Sequence, residues 1–219
     1  MITPNFNLVL VDLNKELCDE FEKEFQGLDL VTVQHGGFEK VEFDCIVSAA
    51  NSFGLMDGGV DGAITDYFGP QLMNRVQEYI IEFYHGEQPV GTSFIIRGNE
   101  EVKMGTNKYV AHTPTMRVPM SIRNTDNVYQ AMRAMLIAVQ EFNNEIDRNK
   151  KTYPENFYYL NRINTVACTG LGTFCGRIPY PRAAKEMRLA YDNFINVPTE
   201  LNWDFANLRN RQINRNLIS

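Results

Sequence analysis

This 219-residue chain is short of cations, short of cysteine and without any long apolar run. Lysine and arginine number 21 against 27 aspartates and glutamates, a formal net charge of −6. A groove for nonspecific nucleic-acid binding needs clustered Lys and Arg to neutralise phosphates. Only Leu208 to Asn216 is locally basic, through Arg209, Arg211 and Arg215. That stretch reads as a solvated helix face, so nonspecific nucleic-acid binding is not expected. The four cysteines, Cys18, Cys45, Cys168 and Cys175, form no C-x-x-C pair and are too few to staple a domain of this size. A reducing, cytoplasmic setting is expected. His35, His85 and His112 are far apart and lack companion ligands at metal spacings, so neither a metal nor another cofactor is expected. The apolar runs are strand-sized, such as Leu8 to Val11, and the N-terminus has no basic region followed by an apolar stretch. Neither a membrane span nor a signal peptide is expected.

What is present is ordinary globular composition, 44% hydrophobic and 22% charged. The length suits one domain over residues 1–219 and is short for two. Leu8-Val9-Leu10-Val11 reads as a buried strand closed by Asp12, with Asn14 as a helix cap. Leu17, Cys18, Phe21 and Phe25 then recur at helical spacing up to Gly27, and Leu28 to Val33 reads as a second strand. Strand, helix and strand so close together make a βαβ unit, which implies parallel pairing. Phe43 to Ala49 is a third strand. Pro70 opens a helix with Leu72, Val76, Ile80 and Phe83 on its inner side. Ser93 to Arg97, Lys108 to His112 and Ile163 to Cys168 read as strands. Asn127 to Phe142 and Pro181 to Phe194 read as helices. Polar residues 143–160 read as a surface insertion or connection, and 196–219 as a C-terminal tail. The alternation predicts an α/β fold: a three-layer α/β/α sandwich around a central mixed, largely parallel sheet.

In open sheets of this kind ligands bind beyond the carboxyl ends of the strands. Two loops there are rich in glycine. The first runs from Asn51 through Gly58-Gly59-Val60 into a helix carrying Asp61. Glycines admit close backbone approach, and the first N–H groups of a helix are unpaired, which together make an anion site without lysine. The second loop is Thr169-Gly170-Leu171-Gly172-Thr173-Phe174-Cys175-Gly176. It lacks the Lys-Ser or Lys-Thr of a P-loop, and its third glycine falls one position late for G-x-G-x-x-G. Each loop taken singly also fits a plain strand-to-helix turn, Asp61 a helix-dipole placement, and Asn51 a turn former.

The run Asp44 to Asn51 followed by Gly58-Gly59-Val60-Asp61-Gly62-Ala63-Ile64 resembles the macro-domain signature, a "DAIVNAAN" strand and a "GGGVDGAI" loop. Thr169 to Thr173 resembles that family's second phosphate loop, and the likeness extends from about Gly36 to Phe194. The resemblance implies a mixed sheet between helices and a cleft for ADP-ribose. It implies that Gly58, Gly59, Val60, Thr169, Gly170, Leu171, Gly172, Thr173 and Gly176 embrace the diphosphate and distal ribose, with Phe174 beside that ribose. It further implies that Asn51 contacts the ribose and that Asp61 is the acid used by hydrolytic members. The implied partner is ADP-ribose or an ADP-ribosylated protein or nucleic acid. The activity is then removal of mono-ADP-ribose, deacylation of O-acetyl-ADP-ribose, or binding without turnover. Three positions depart from the family: Gly37 where an Asp meets the adenine amino group, Ser48 for the first Asn, and Asp57 for the first glycine. Asp12 is the expected substitute at the adenine, although it equally fits a helix-entry acid beside Asn14.

Overall fold

The computed structural model describes residues 2–99, 107–152 and 160–218. Its strands are β1 (Asn7–Asp12), β2 (Val31–His35), β3 (Cys45–Asn51), β4 (Phe94–Arg97), β5 (Tyr109–Met116) and β6 (Thr165–Cys168). Its helices are α1 (Lys15–Phe25), α2 (Gly59–Phe68), α3 (Gln71–Tyr84), α4 (Asn127–Thr152), α5 (Tyr180–Ile195) and α6 (Trp203–Ile218). The six strands form one sheet in the order β2-β1-β6-β3-β5-β4. Pairing is parallel except between β4 and β5.

Period-two alternation sorts the strand residues onto the two faces. Leu8, Leu10, Cys45, Val47, Val166 and Cys168 pack under α1, α4 and α5. Val11, Ile46, Val110 and Ala167 pack under α2 and α3 with Ile64, Leu72, Val76 and Ile80. Helices thus cover both faces of a sheet buried through its middle, the expected sandwich.

Strand lengths at the centre are uneven, and this shapes the carboxyl edge. Ala167 pairs with Ile46 of β3, and Cys168, the last residue of β6, pairs with Leu10 of β1. β3 continues beyond that level through Ser48 to Asn51, about 13 Å of extended chain. β1 continues through Val11 and Asp12. The carboxyl edge therefore has a notch over β6, flanked by β1 and β3.

Several elements differ from the sequence expectations. α1 exits through Gly27 at φ 81°, and the turn bond from Val31 N–H to the Leu28 carbonyl delays β2 to Val31–His35. Phe83 is exposed, not on the inner side of α3. β5 runs on to Met116 despite Pro114, because β4 pairs with it only up to His112 and the missing N–H deprives no partner. The expected connection at 143–160 is helix as far as Thr152, and residues 153–159 lie outside the described residues. Asn143 explains the extension. It is fully buried, and its Oδ1 accepts from Ile163 N–H at 2.9 Å while its Nδ2 donates to the Ile163 carbonyl at 2.8 Å. A polar residue that reads as loop onset is instead the clasp between α4 and the approach to β6. The C-terminal stretch carries α6, a solvated helix bearing the chain's single tryptophan, Trp203, in an exposed position.

Asn143→Ala strips both Ile163 backbone groups of their buried partner. It is expected to cost about 2–3 kcal/mol, read as a lower urea midpoint at unchanged m-value. An unshifted midpoint would show that water or backbone replaces the amide.

Candidate functional site

The first glycine loop is shaped by Asn51. Its Oδ1 accepts from the N–H groups of Phe53 at 3.1 Å and Leu55 at 3.3 Å, and its Nδ2 donates to the Leu55 carbonyl at 2.8 Å. The side chain is buried, and the turn-forming reading describes it here. The loop ends at Gly58, which precedes α2 in extended geometry (φ −160°) and offers no side-chain cap. Gly59 follows at φ 58°. The N–H groups of Gly59, Val60 and Asp61 are consequently left without helical partners, and a Cβ at Gly58 would meet open space.

Asp61 stands in the first turn of α2 and is 6% exposed. Its Oδ1 accepts from Ser48 Oγ at 2.7 Å. No protein group donates to its Oδ2 among the described residues. Burial raises its pKa to about 6, the Ser48 hydroxyl opposes that rise, and the nearby Asp57 charge adds to it. Ser48 sits in the core of β3 as the register partner of His112 on β5. His112 is fully buried, and burial holds its pKa down to about 3. Gln88 Nε2 donates to the His112 carbonyl at 3.3 Å, which turns Gln88 Oε1 toward His112 Nδ1 at 2.6 Å. Gln88 N–H also donates to the Ser52 carbonyl at 2.9 Å, so this pair fastens the chain where it leaves β3.

The second loop leaves β6 at the notch. Asp12 reaches it from the end of β1: Oδ2 accepts from Gly170 N–H at 3.1 Å and Oδ1 from Asn14 N–H at 2.9 Å. Thr173 Oγ1 closes the loop on the Gly170 carbonyl at 3.2 Å. The glycines here answer mainly to the protein. A Cβ at Gly170 would collide with Leu17, one at Gly172 would lie 2.9 Å from both Ile122 and Val128, and one at Gly176 would strike the Gly172 carbonyl. Leu171 is fully buried, so only its backbone can face a ligand.

The segment between β5 and α4 backs this loop. Ile122 N–H donates to the Gly176 carbonyl at 3.0 Å, and Arg123 Nε to the Arg177 carbonyl at 2.7 Å. Arg182 of α5 holds the segment in turn. It donates to the carbonyls of Arg123 and, at 2.8 Å, Thr125, and its Nε pairs with Glu186 Oε1 at 2.7 Å. Glu186 Oε2 accepts from Tyr129 N–H at the start of α4.

The two loops meet through Phe174, which is 80% exposed yet has its ring edge 3.9 Å from where a Cβ on Gly59 would stand. The structure thus brings Asn51, Gly58, Gly59, Val60 and Asp61 to the same carboxyl edge of the sheet as Asp12 and Thr169–Gly176, around the notch over β6. At its β2 side, a Cβ on Gly37 would collide with the carboxylate of Glu39, which folds back over that glycine. Sequence reasoning marked Ser48 only as a departure from the family and gave it no role, and it missed Gln88, Arg182 and Glu39. A serine inside an apolar strand was the available signal for a role at Ser48; the others are tertiary. Among the described residues no group of three or more His, Cys, Asp or Glu side chains is arranged to hold a metal, and no helix is long and apolar enough to cross a membrane.

A mostly parallel sheet between helices, with uncapped amides at its carboxyl edge, defines an α/β sandwich protein. The Macro domain family profile matches residues 47–187, and the chain belongs to that family. An uncharacterised protein of Thermoplasma acidophilum is 33% identical over 123 residues, 55% of this chain and 60% of its own length. A protein of Citrobacter koseri named O-acetyl-ADP-ribose deacetylase is 39% identical over 74 residues, 33% of this chain and 41% of its own. Against both, the chain spans under two thirds of the relative's length. Among solved structures, the macrodomain of Mycobacterium tuberculosis DarG superposes with a TM-score of 0.52 at 14% identity, covering 76% of this chain and 92% of the other. The Oceanobacillus iheyensis macrodomain gives 0.51 at 19%, covering 82% and 88%. These two establish likeness of fold.

The raised Asp61 pKa has a signed consequence for stability. The unfolded carboxyl ionises near its ordinary 3.8 and the folded one near 6, so stability is fullest below pH 4 on this account and falls as pH rises toward 6. Asp61→Asn keeps an acceptor for Ser48 and removes the titration. It should gain on wild type between pH 4 and 7 by roughly 3 kcal/mol at most. Parallel pH–stability curves for the two proteins would refute a buried, raised carboxyl.

Proposed function

We propose that the cleft binds ADP-ribose and that the chain hydrolyses an ADP-ribosyl linkage. One observation carries this reading: two amide-rich loops flank the notch, in contact at Phe174 and Gly59, with a buried acid of pKa about 6 in the first turn of α2. A diphosphate needs donors on two sides and no fixed cation, which uncapped helix and loop amides provide. A relative named as an O-acetyl-ADP-ribose deacetylase, matched over 33% of this chain, is consistent with it.

In the proposed reaction the diphosphate lies between Gly58–Val60 and the Thr169–Gly176 loop, with the distal ribose toward β3. Water adds to the scissile carbon as the bond to the acceptor breaks. The departing acceptor atom leaves with the bonding electron pair, while Asp61 Oδ2, free of protein donors, takes the proton from that water and passes it to the departing atom. A carboxyl of pKa about 6 suits this task near neutral pH, being mostly ionised yet still basic. Ser48 keeps the carboxyl oriented through Oδ1. The acceptor is a protein, a nucleic acid or an acetyl group.

Binding without turnover is the second reading, and Asn51 favours it. Loop contacts already use its Oδ1 twice and its Nδ2 once, leaving one N–H for a ribose hydroxyl. At the adenine end, the proposed Asp12 contact competes with the two amides that carboxylate already accepts. Asp12→Ala would therefore disturb the second loop as well as any base contact.

Gly58→Val is the cleanest probe, because the backbone there is extended and the space around it open. The variant should keep the wild-type melting temperature and bind ADP-ribose at least about tenfold more weakly by calorimetry; AMP should bind wild type far more weakly than ADP-ribose does. Equal affinity for AMP, or normal binding by a folded Gly58→Val, removes the diphosphate from this cleft.

Single-turnover cleavage of mono-ADP-ribosylated substrates separates the two readings. Asp61→Asn should slow cleavage far more than it weakens ADP-ribose binding, and the wild-type rate should rise through pH 6 as the acid ionises. No cleavage of any ester, amino-acid or nucleic-acid conjugate by wild type leaves the binding module.

A further inference from the structure

A cavity of about 490 Å³ lies under α6, on the outer side of the layer made by α4 and α5. No residue of either glycine loop lines it. A second cavity, of about 380 Å³, runs from it to the loop before β4, and the two share Tyr129, Arg133 and Ile137. These three stand four residues apart on α4 and make one continuous floor. The roof is α6, beyond the family match at residues 47–187, so this space is closed by a part of the chain that the family match does not include.

Two arginines, Arg133 and Arg209, dominate the polar groups of the cavity, beside Tyr129, Asn193, Gln140 and Glu141. Tyr129 is 5% exposed, and its phenolic oxygen accepts from Arg209 Nη1 at 3.1 Å and Asn193 Nδ2 at 3.3 Å. Its own proton donates to no protein acceptor among the described residues, although a phenol carries one donor to spend. Arg209 also lies over the Phe205 ring, 5.0 Å from its centre. Neither Arg133 nor Arg209 is in an ion pair among the described residues, in a chain of net charge −6. Glu141 is the one carboxylate on the wall, and it is engaged at the rim by Arg148 and Asn144. Gln140 accepts from Asn5 N–H through its Oε1. Between these groups the wall is apolar, formed by Phe194, Val197, Leu201 and Ile213 among others.

Two arginines without an ion-pair partner and a phenolic proton that meets no protein acceptor line a space with largely apolar walls. We propose that this cavity binds an acyl-chain carboxylate, its head group held by Arg133, Arg209 and Tyr129 and its tail lying against Phe194 and the α6 side chains. The volume is that of a small-ligand pocket, and charged hydrogen bonds to a carboxylate favour the acid over any neutral analogue. The site is independent of the cleft.

The test is an amide NMR titration of the full chain with decanoate, kept below its micelle concentration, and with decanol as the neutral control. Decanoate should shift the signals of Tyr129, Arg133, Asn193 and Arg209, and decanol should bind about tenfold more weakly. Arg133→Glu, at an exposed position that spares the fold, should weaken decanoate by about the same factor. Ile137→Trp, which fills the shared floor, should abolish the shifts at an unchanged melting temperature. Absence of shifts at these residues, equal binding of decanol, undiminished binding by Arg133→Glu or by Ile137→Trp, or displacement of decanoate by ADP-ribose would each overturn the assignment.

Discussion

The cleft depends on one constraint, the place at which β6 stops. β6 is the strand between β1 and β3, and it ends while both neighbours continue. A full-length β6 would carry its loop out beside Asn51, and the two glycine loops would lie flat along the sheet edge. Because it stops at Cys168, the second loop leaves at the floor of a notch, within reach of the Asp12 carboxylate on one side and of α2 on the other. Register enforces this. Asp44 Oδ2 accepts from the N–H groups of Asn164 and Thr165 at 2.7 and 2.9 Å, and its own carbonyl accepts from Tyr109 N–H at 2.7 Å. One residue thereby aligns β6, β3 and β5 at their amino ends. A slip of one residue would exchange the faces of Ser48 and Val47, and Asp61 would lose its partner.

The two loops use glycine for different reasons. Gly58 and Gly59 border open space or the Phe174 ring, so their missing side chains leave the loop surface open, and Gly59 also takes a left-handed backbone conformation. Gly170, Gly172 and Gly176 border Leu17, Ile122 and the loop's own backbone, so theirs let the loop pack. The first loop is a surface offered to the cleft and the second a pedestal wedged into the fold. The Arg182–Glu186 pair, almost wholly buried, extends that pedestal to the amino end of α4. Such a pair is weak evidence for stability, since desolvation offsets much of its attraction. Its visible effect is positional, because three of its hydrogen bonds end on the backbone that supports the loop.

Much of this was legible from the residues. Alternating strand and helix patterns announced the sandwich, and the two glycine loops fall, as expected, after the carboxyl ends of β3 and β6. What escaped depends on partners distant in sequence. Asn143 looks like a loop residue until Ile163 stands beside it, twenty positions later. The glycines of the second loop look ligand-facing until Ile122 is placed against them. Asn51 carried two readings, and only the positions of Phe53 and Leu55 show its side chain engaged in the turn. Phe83 obeys the helical period and is nevertheless exposed near the end of α3. Ser48 was visible as a polar residue in an apolar strand, but its role required knowing that the strand's neighbour above is Asp61.

The sheet order has a kinetic side. The pairs β2-β1 and β3-β5-β4 are each made from stretches of chain that emerge early, yet nothing but β6 joins them. β6 arrives at residues 165–168, more than 150 positions after the β1 residues it pairs with. During synthesis the inner edges of β1 and β3 therefore have no sheet partner until that one short strand has been made. Closure over so long a span is the slow kind of contact, and exposed edges are where chains join wrongly. Both glycine loops flank that joining strand, so the cleft forms only when the two halves have become one.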